Sequence, residues 1–122
     1  MAGGRCMIVE DSPTMRQLIV STLRRIPQLE IVEAADGVDA LAKLPGWKTD
    51  LVLADATMPI MGGHRLMGLL KSNPLYRESP VVSITAEGTA ADRVLALGAR
   101  ACIPRPIQTS NLLEVVRGIL GL

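Results

Sequence analysis

Phenylalanine is absent from this chain of 122 residues, and Trp47 and Tyr76 are its only aromatic side chains. Both fall in predicted loops, where they read as packing or surface residues rather than a stacking platform. The two cysteines, Cys6 and Cys102, are too few and too far apart for a disulfide scaffold. They also lack the His and Cys neighbours of a zinc site. The single histidine, His64, has no partner ligands and is expected to be solvated. No charge dominates: 13 Lys and Arg against 12 Asp and Glu give a net charge of +1. That balance supplies no phosphate-neutralising face and argues against direct nucleic-acid binding. Long apolar runs are missing as well. No stretch approaches the roughly 20 residues of a membrane span, and no basic-then-apolar leader is present. A soluble, cytoplasmic protein without membrane insertion is the expectation.

What the chain does have is enough apolar material for a core. Hydrophobic residues make up 48% and charged residues 20%. A chain of this length hides roughly 65–70% of its unfolded surface on folding, so residues 1–122 are expected to form a single domain. Short apolar, β-branched runs occupy 6–9, 30–34, 51–54, 81–85 and 101–103. Each is followed by a stretch with helical spacing. Short continuous apolar strands separated by helices indicate a parallel sheet buried on both faces.

Local chemistry marks the helices. Ser12 followed by Pro13 reads as an N-cap with proline at the first helical position. Met15, Leu18, Ile19, Leu23 and Ile26 follow at helical intervals until Pro27 stops the run. Further helices are predicted over 38–44, 64–71, 90–97 and 110–120, with Gly98 closing the fourth. The fold class is α/β: a flavodoxin-like, doubly wound (βα)5 sheet of five parallel strands. Such sheets bind ligands at the carboxyl ends of their strands, at the topological switch point.

The residues at those ends carry chemistry. Glu10 and Asp11 follow the first strand, Asp55 the third, Thr85 closes the fourth, and Arg105-Pro106 follows the fifth. In the strand order 2-1-3-4-5 the first and third strands are neighbours, which brings the three carboxylates together. Three like charges in one crevice raise one another's pKa unless a cation shares the space. An oxygen-only ligand set with room for water suits Mg²⁺. Arg105 adds a fixed positive charge and Thr85 a hydroxyl donor. A site of this kind suits phosphoryl transfer onto a carboxylate, with Asp55 as the nucleophile.

The segments 7–16, 50–63 and 80–86, with Gly98-Ala99 and Arg105-Pro106, resemble a bacterial response-regulator receiver domain. This is the phosphoacceptor half of a two-component system, and the first third is most similar to stand-alone chemotaxis-type receivers. The most specific stretch is Asp55, Met58-Pro59, Met61 and Gly63. The resemblance implies that Asp55 is the phosphorylated residue. It implies Mg²⁺ bound by Asp11, Asp55 and the backbone carbonyl of Thr57, with Glu10 holding it mostly through water. Thr85 would bond a phosphoryl oxygen and move on activation, and the Arg105–Pro106 peptide bond would be cis. The phosphoryl donor would be a sensor histidine kinase or phosphotransfer protein. The output would pass to a downstream protein through the face of helix four, strand five and helix five.

The chain departs from the family pattern in three places. Arg105 stands where the family has lysine, Cys102 where it has Tyr or Phe, and the segment between Thr85 and Gly98 is about two residues short. These departures keep a second reading open, that of a degenerate receiver acting as a phosphorylation-independent interaction module. Enzymatic readings fit less well. A haloacid-dehalogenase-type phosphatase wants a second Asp where this chain has Thr57, and in a flavodoxin Glu10 and Asp11 would repel the bound phosphate.

Overall fold

Strand and helix alternate along the chain as the apolar spacing predicts. The computed structural model describes residues 4–46, 48–55, 63–85 and 89–122. The order is β1 (Gly4–Val9), α1 (Pro13–Leu23), β2 (Leu29–Ala34), α2 (Gly37–Lys43), β3 (Leu51–Asp55), α3 (Gly63–Ser72), β4 (Val81–Thr85), α4 (Thr89–Ala96), β5 (Ala101–Pro104) and α5 (Thr109–Leu120). One 3-10 turn, Leu44–Gly46, follows α2. The strands form one sheet in the order β2-β1-β3-β4-β5, and every pairing is parallel. This is the doubly wound arrangement expected from the sequence.

Because side chains alternate along a strand, the sheet feeds two cores. Met7, Val9, Val52, Ala54 and Val81 face one way and pack with Leu66, Met67 and Leu70 of α3 and Val94 of α4. Cys6, Ile8, Leu51, Leu53, Val82 and Ile103 face the other way, against Ile19 and Leu23 of α1 and Leu112 and Val116 of α5. Both faces of β3 and β4 are therefore buried, which is why those strands read as continuous apolar runs.

Caps set the helix limits. The Ser12 side chain accepts the Met15 N–H at 3.3 Å, and Asp36 accepts the Asp39 N–H at 2.8 Å. The first helix is shorter than its apolar spacing predicts: it ends at Leu23, not at Ile26. Its exit tightens into 3-10-type turns, with Arg25 N–H on the Thr22 carbonyl at 3.1 Å and Ile26 N–H on the Leu23 carbonyl at 3.0 Å. Pro27 disfavours helical backbone in the residue before it, which accounts for the early end. Ile26 stays buried all the same.

Gly98 has φ +113°, which L side chains rarely adopt, and it lies against the aliphatic stem of Lys71. The Lys71 ammonium reaches on to the carbonyls of Arg77 and Ser79, each at 3.1 Å. The Arg105–Pro106 bond is cis. Among the described residues no helix is long and apolar enough to cross a membrane.

Candidate functional site

The carboxyl ends of β1 and β3 lie side by side, with Val9 paired to Ala54. Glu10 therefore emerges next to Asp55, the last residue of β3. The Glu10 N–H donates to the Ala34 carbonyl at 3.0 Å, which continues the β1–β2 ladder by one residue and turns the Glu10 side chain inward. Glu10 is 1% exposed and Asp55 4%, whereas Asp11 is exposed. Each of the three offers one carboxylate oxygen, and those oxygens lie within 4.8 Å of one another.

Arg105 enters from the end of β5. Its Nη2 lies 2.8 Å from Asp55 Oδ2 and 3.2 Å from Glu10 Oε1. The other Glu10 oxygen, Oε2, accepts the Ser12 N–H at 3.1 Å. Burial pushes the Glu10 carboxyl above its ordinary pKa, aided by the neighbouring Asp11 and Asp55 and opposed by the Ser12 N–H and Arg105. Burial opposes the Arg105 charge. The carboxylates of Asp55 and Glu10 more than offset that, and the guanidinium is held firmly protonated.

Thr85 ends β4 beside this group. Its hydroxyl is buried and has no hydrogen-bond partner among the described residues, and the same holds for Ser83 two residues earlier on the same face. A buried hydroxyl without a partner costs about 1–3 kcal/mol. That cost is relieved by any acceptor that comes within its reach.

The sequence-predicted residues Glu10, Asp11, Asp55, Thr85 and Arg105 thus gather at one end of the sheet. Thr57 lies outside the described residues, as do Trp47 and the side chain of His64. Tyr76 is partly buried and packs against the core beneath α3. Cys102 pairs in register with Ser83. Burial and the nearby Asp92 push its thiol pKa up, and burial does the same for Cys6. Neither shift favours the thiolate, the reactive form of the side chain.

One contributor escapes sequence reasoning. Arg16 of α1 donates from Nη1 to the Glu10 carbonyl at 2.6 Å and from Nε to Glu33 Oε1 at 3.0 Å, pinning the β1–α1 connection from the side of β2. A basic residue near a helix N-terminus opposes the helix dipole. That misplacement was the signal available in the sequence.

The donor set fits a hard divalent cation. All three ligands are carboxylates, and the exposed Asp11 leaves one side open to water, as Mg²⁺ requires. The arrangement therefore combines an acidic pocket, a guanidinium aimed at a carboxylate oxygen, and a buried hydroxyl donor.

Comparison with known proteins agrees with this geometry. The family model described as "Response regulator receiver domain" matches residues 6–117. The chain is 34% identical over 120 residues to the chemotaxis protein CheY1 of Helicobacter pylori, covering 96% of this chain and 97% of the relative. Among solved structures it is similar to the chemotaxis protein CheY4 of Vibrio cholerae, with a TM-score of 0.88 and 28% identity over 98% of this chain and all of the other. It shares its fold with the receiver domain of a sensor histidine kinase from Pseudomonas aeruginosa, solved with a magnesium ion coordinated in the active-site cleft. There the TM-score is 0.86, with 24% identity over 99% of this chain and 100% of that one.

Proposed function

Because the chain belongs to the response regulator receiver domain family, whose members are signalling modules, we propose that it accepts a phosphoryl group on Asp55 from a phosphohistidine donor. The observation that carries this reading is the convergence of Glu10, Asp11 and Asp55 with the Arg105 guanidinium 2.8 Å from Asp55 Oδ2.

In the reaction, a carboxylate oxygen of Asp55 attacks phosphorus, the donor's N–P bond breaks as the O–P bond forms, and the imidazole leaves with the electron pair. The fixed positive charge of Arg105 lies where the phosphoryl oxygens gather negative charge. The Thr85 hydroxyl donates to one of those oxygens and thereby gains the acceptor it lacks. Mg²⁺, held by Glu10, Asp11, Asp55 and the Thr57 carbonyl, would neutralise further charge on the transferring group. No turnover of a small-molecule substrate is implied, and the chain is read as a signalling protein rather than an enzyme.

The donor is a sensor histidine kinase or phosphotransfer protein in the cytoplasm. The output face is α4, β5 and α5, where Leu95 stands exposed on α4. The second reading, a phosphorylation-independent interaction module, draws on Arg105 already pairing with two of the three carboxylates. Intact-mass spectrometry after incubation with acetyl phosphate and Mg²⁺ decides between them. One added phosphoryl group on the wild type, absent from Asp55→Asn, supports the phosphoacceptor. No adduct from acetyl phosphate or from a phosphohistidine donor supports the interaction module.

A further inference from the structure

We propose that the end of the sheet opposite the acidic pocket is a docking face for an anionic lipid bilayer. The net charge of +1 conceals a segregation that the topology brings out. Every strand pairing is parallel, so all strands enter at one end and leave at the other. The leaving end holds Glu10, Asp11 and Asp55. The entering end is basic. Arg5 is the second residue of β1, Arg24 and Arg25 precede β2, and Lys48, Arg77 and Arg100 precede β3, β4 and β5. A cation therefore stands at the entrance of each of the five strands, across roughly 20 Å of sheet. Lys48, Arg77 and Arg100 lie outside the helices, so complementing helix dipoles does not account for them.

These cations are also uncommitted. All but Arg5 are exposed, and none of those five has an ion pair among the described residues. The acids at this end are fewer. Glu30 pairs with Arg5 at 3.6 Å, Asp50 accepts the Arg5 N–H at 2.9 Å, and Glu78 stands exposed. Leu75 is the second observation. It lies between α3 and β4 and is 80% exposed, the most exposed large hydrophobic side chain among the described residues. Its N–H is held by Asn73 Oδ1 at 2.9 Å, and the Asn73 carbonyl accepts the N–H groups of Tyr76 and Arg77 at 3.0 and 2.9 Å. A closed turn thus presents the leucine outward. An acidic peptide is gripped best in a groove, whereas an apolar side chain protruding from a broad basic face suits a surface it can enter. Attraction to anionic headgroups sums over the cations within a Debye length, and one inserted leucine adds an apolar anchor. Docked this way, the acidic pocket faces away from the bilayer.

The test is co-sedimentation of the full chain with phosphatidylcholine vesicles, with and without about a third of phosphatidylglycerol. The wild type should bind only the anionic vesicles and should be released as salt is raised to about 0.5 M. The double variant Arg77→Gln/Arg100→Gln should bind about twentyfold more weakly, and Leu75→Ser about tenfold. Arg65→Gln, exposed in the first turn of α3 at the leaving end, should bind as the wild type does. No binding of the wild type to anionic vesicles at low salt overturns the proposal, as does full binding by either the double variant or Leu75→Ser. Capture by polyglutamate without binding to vesicles assigns the face to an acidic protein segment and overturns the lipid surface.

Discussion

The backbone N–H of Arg105 donates to the carbonyl oxygen of Thr85 at 3.0 Å, so the two residues expected to face a phosphoryl group share one rigid frame. The ladder between β4 and β5, in which Thr85 pairs with Pro104, places the Arg105 backbone whatever side chain it carries. Arg105→Lys is therefore expected to accept a phosphoryl group from acetyl phosphate, since charge and starting point are both kept. Arg105→Ala keeps the starting point alone, and its uptake should be about 100-fold slower. Time-resolved intact-mass spectrometry reads both rates, and equal rates for wild type and Arg105→Ala would exclude Arg105 from the transfer.

Asp11 is the exposed member of the three carboxylates, so it should contribute to ion binding and little to folding. Asp11→Ala is expected to melt within about 0.5 kcal/mol of the wild type in metal-free buffer. The rise in melting temperature that Mg²⁺ gives the wild type should be largely lost. Differential scanning fluorimetry with and without Mg²⁺ measures both. A variant stabilised by Mg²⁺ as strongly as the wild type would show that Asp11 is not a ligand.

Two glycines should respond in opposite directions to the same substitution. Gly98 holds φ +113°, and a Cβ there would meet Lys71 Cε at 3.4 Å. Gly98→Ala should cost about 1–2 kcal/mol. Gly118 lies within α5, is exposed, and apart from its chain neighbours and its own helix backbone has nothing within 4 Å of where a Cβ would stand. Gly118→Ala should stabilise by about 0.5–1 kcal/mol through a less flexible unfolded chain. Urea denaturation compares the pair directly.

Acid should weaken the edge of the fold near α2. The Asp39 carboxylate accepts the Ala35 N–H at 2.9 Å and the Lys43 ammonium at 3.1 Å, and these bonds, the backbone one first, hold its pKa below the ordinary value. A carboxylate with a depressed pKa stabilises the folded state above its unfolded pKa, and that support fades as pH falls through the folded one. Asp39→Asn should be less stable than the wild type at neutral pH and lose less on acidification. Urea midpoints taken from pH 6 down to the acid limit of folding should converge, and parallel curves would remove Asp39 as a contributor.

Much of this could be read from the chain because its signals are local. The run 81–85 is β4 to the residue, and the Ser12-Pro13 pair starts α1 where a cap and a proline should. Parallel strands place their final residues together, so Glu10, Asp55, Thr85 and Arg105 could be gathered from strand ends alone. Tertiary contacts were less legible. Arg16 reaches Glu33 as well as the Glu10 carbonyl only because β1 and β2 are paired at that end. The double grip of Arg105 depends on β4 and β5 ending level, with Thr85 paired to Pro104, a matter of register rather than residue type. Ile26 kept the apolar spacing of α1 while leaving its helical backbone, since burial and helix are separate demands: Ile26 meets the first, and Pro27 opposes the second.

The complete burial of β3 and β4 on both faces bears on how a signal could leave this molecule. Their amides should be among the slowest to exchange with solvent hydrogen, opening only when the whole domain unfolds. Asp55 and Thr85 are the last residues of those two strands, mounted on the least yielding part of the protein. A change at the site then has no give behind it and must be expressed forward of the strand ends. The stiffness of the sheet acts as the anvil against which any such change is struck.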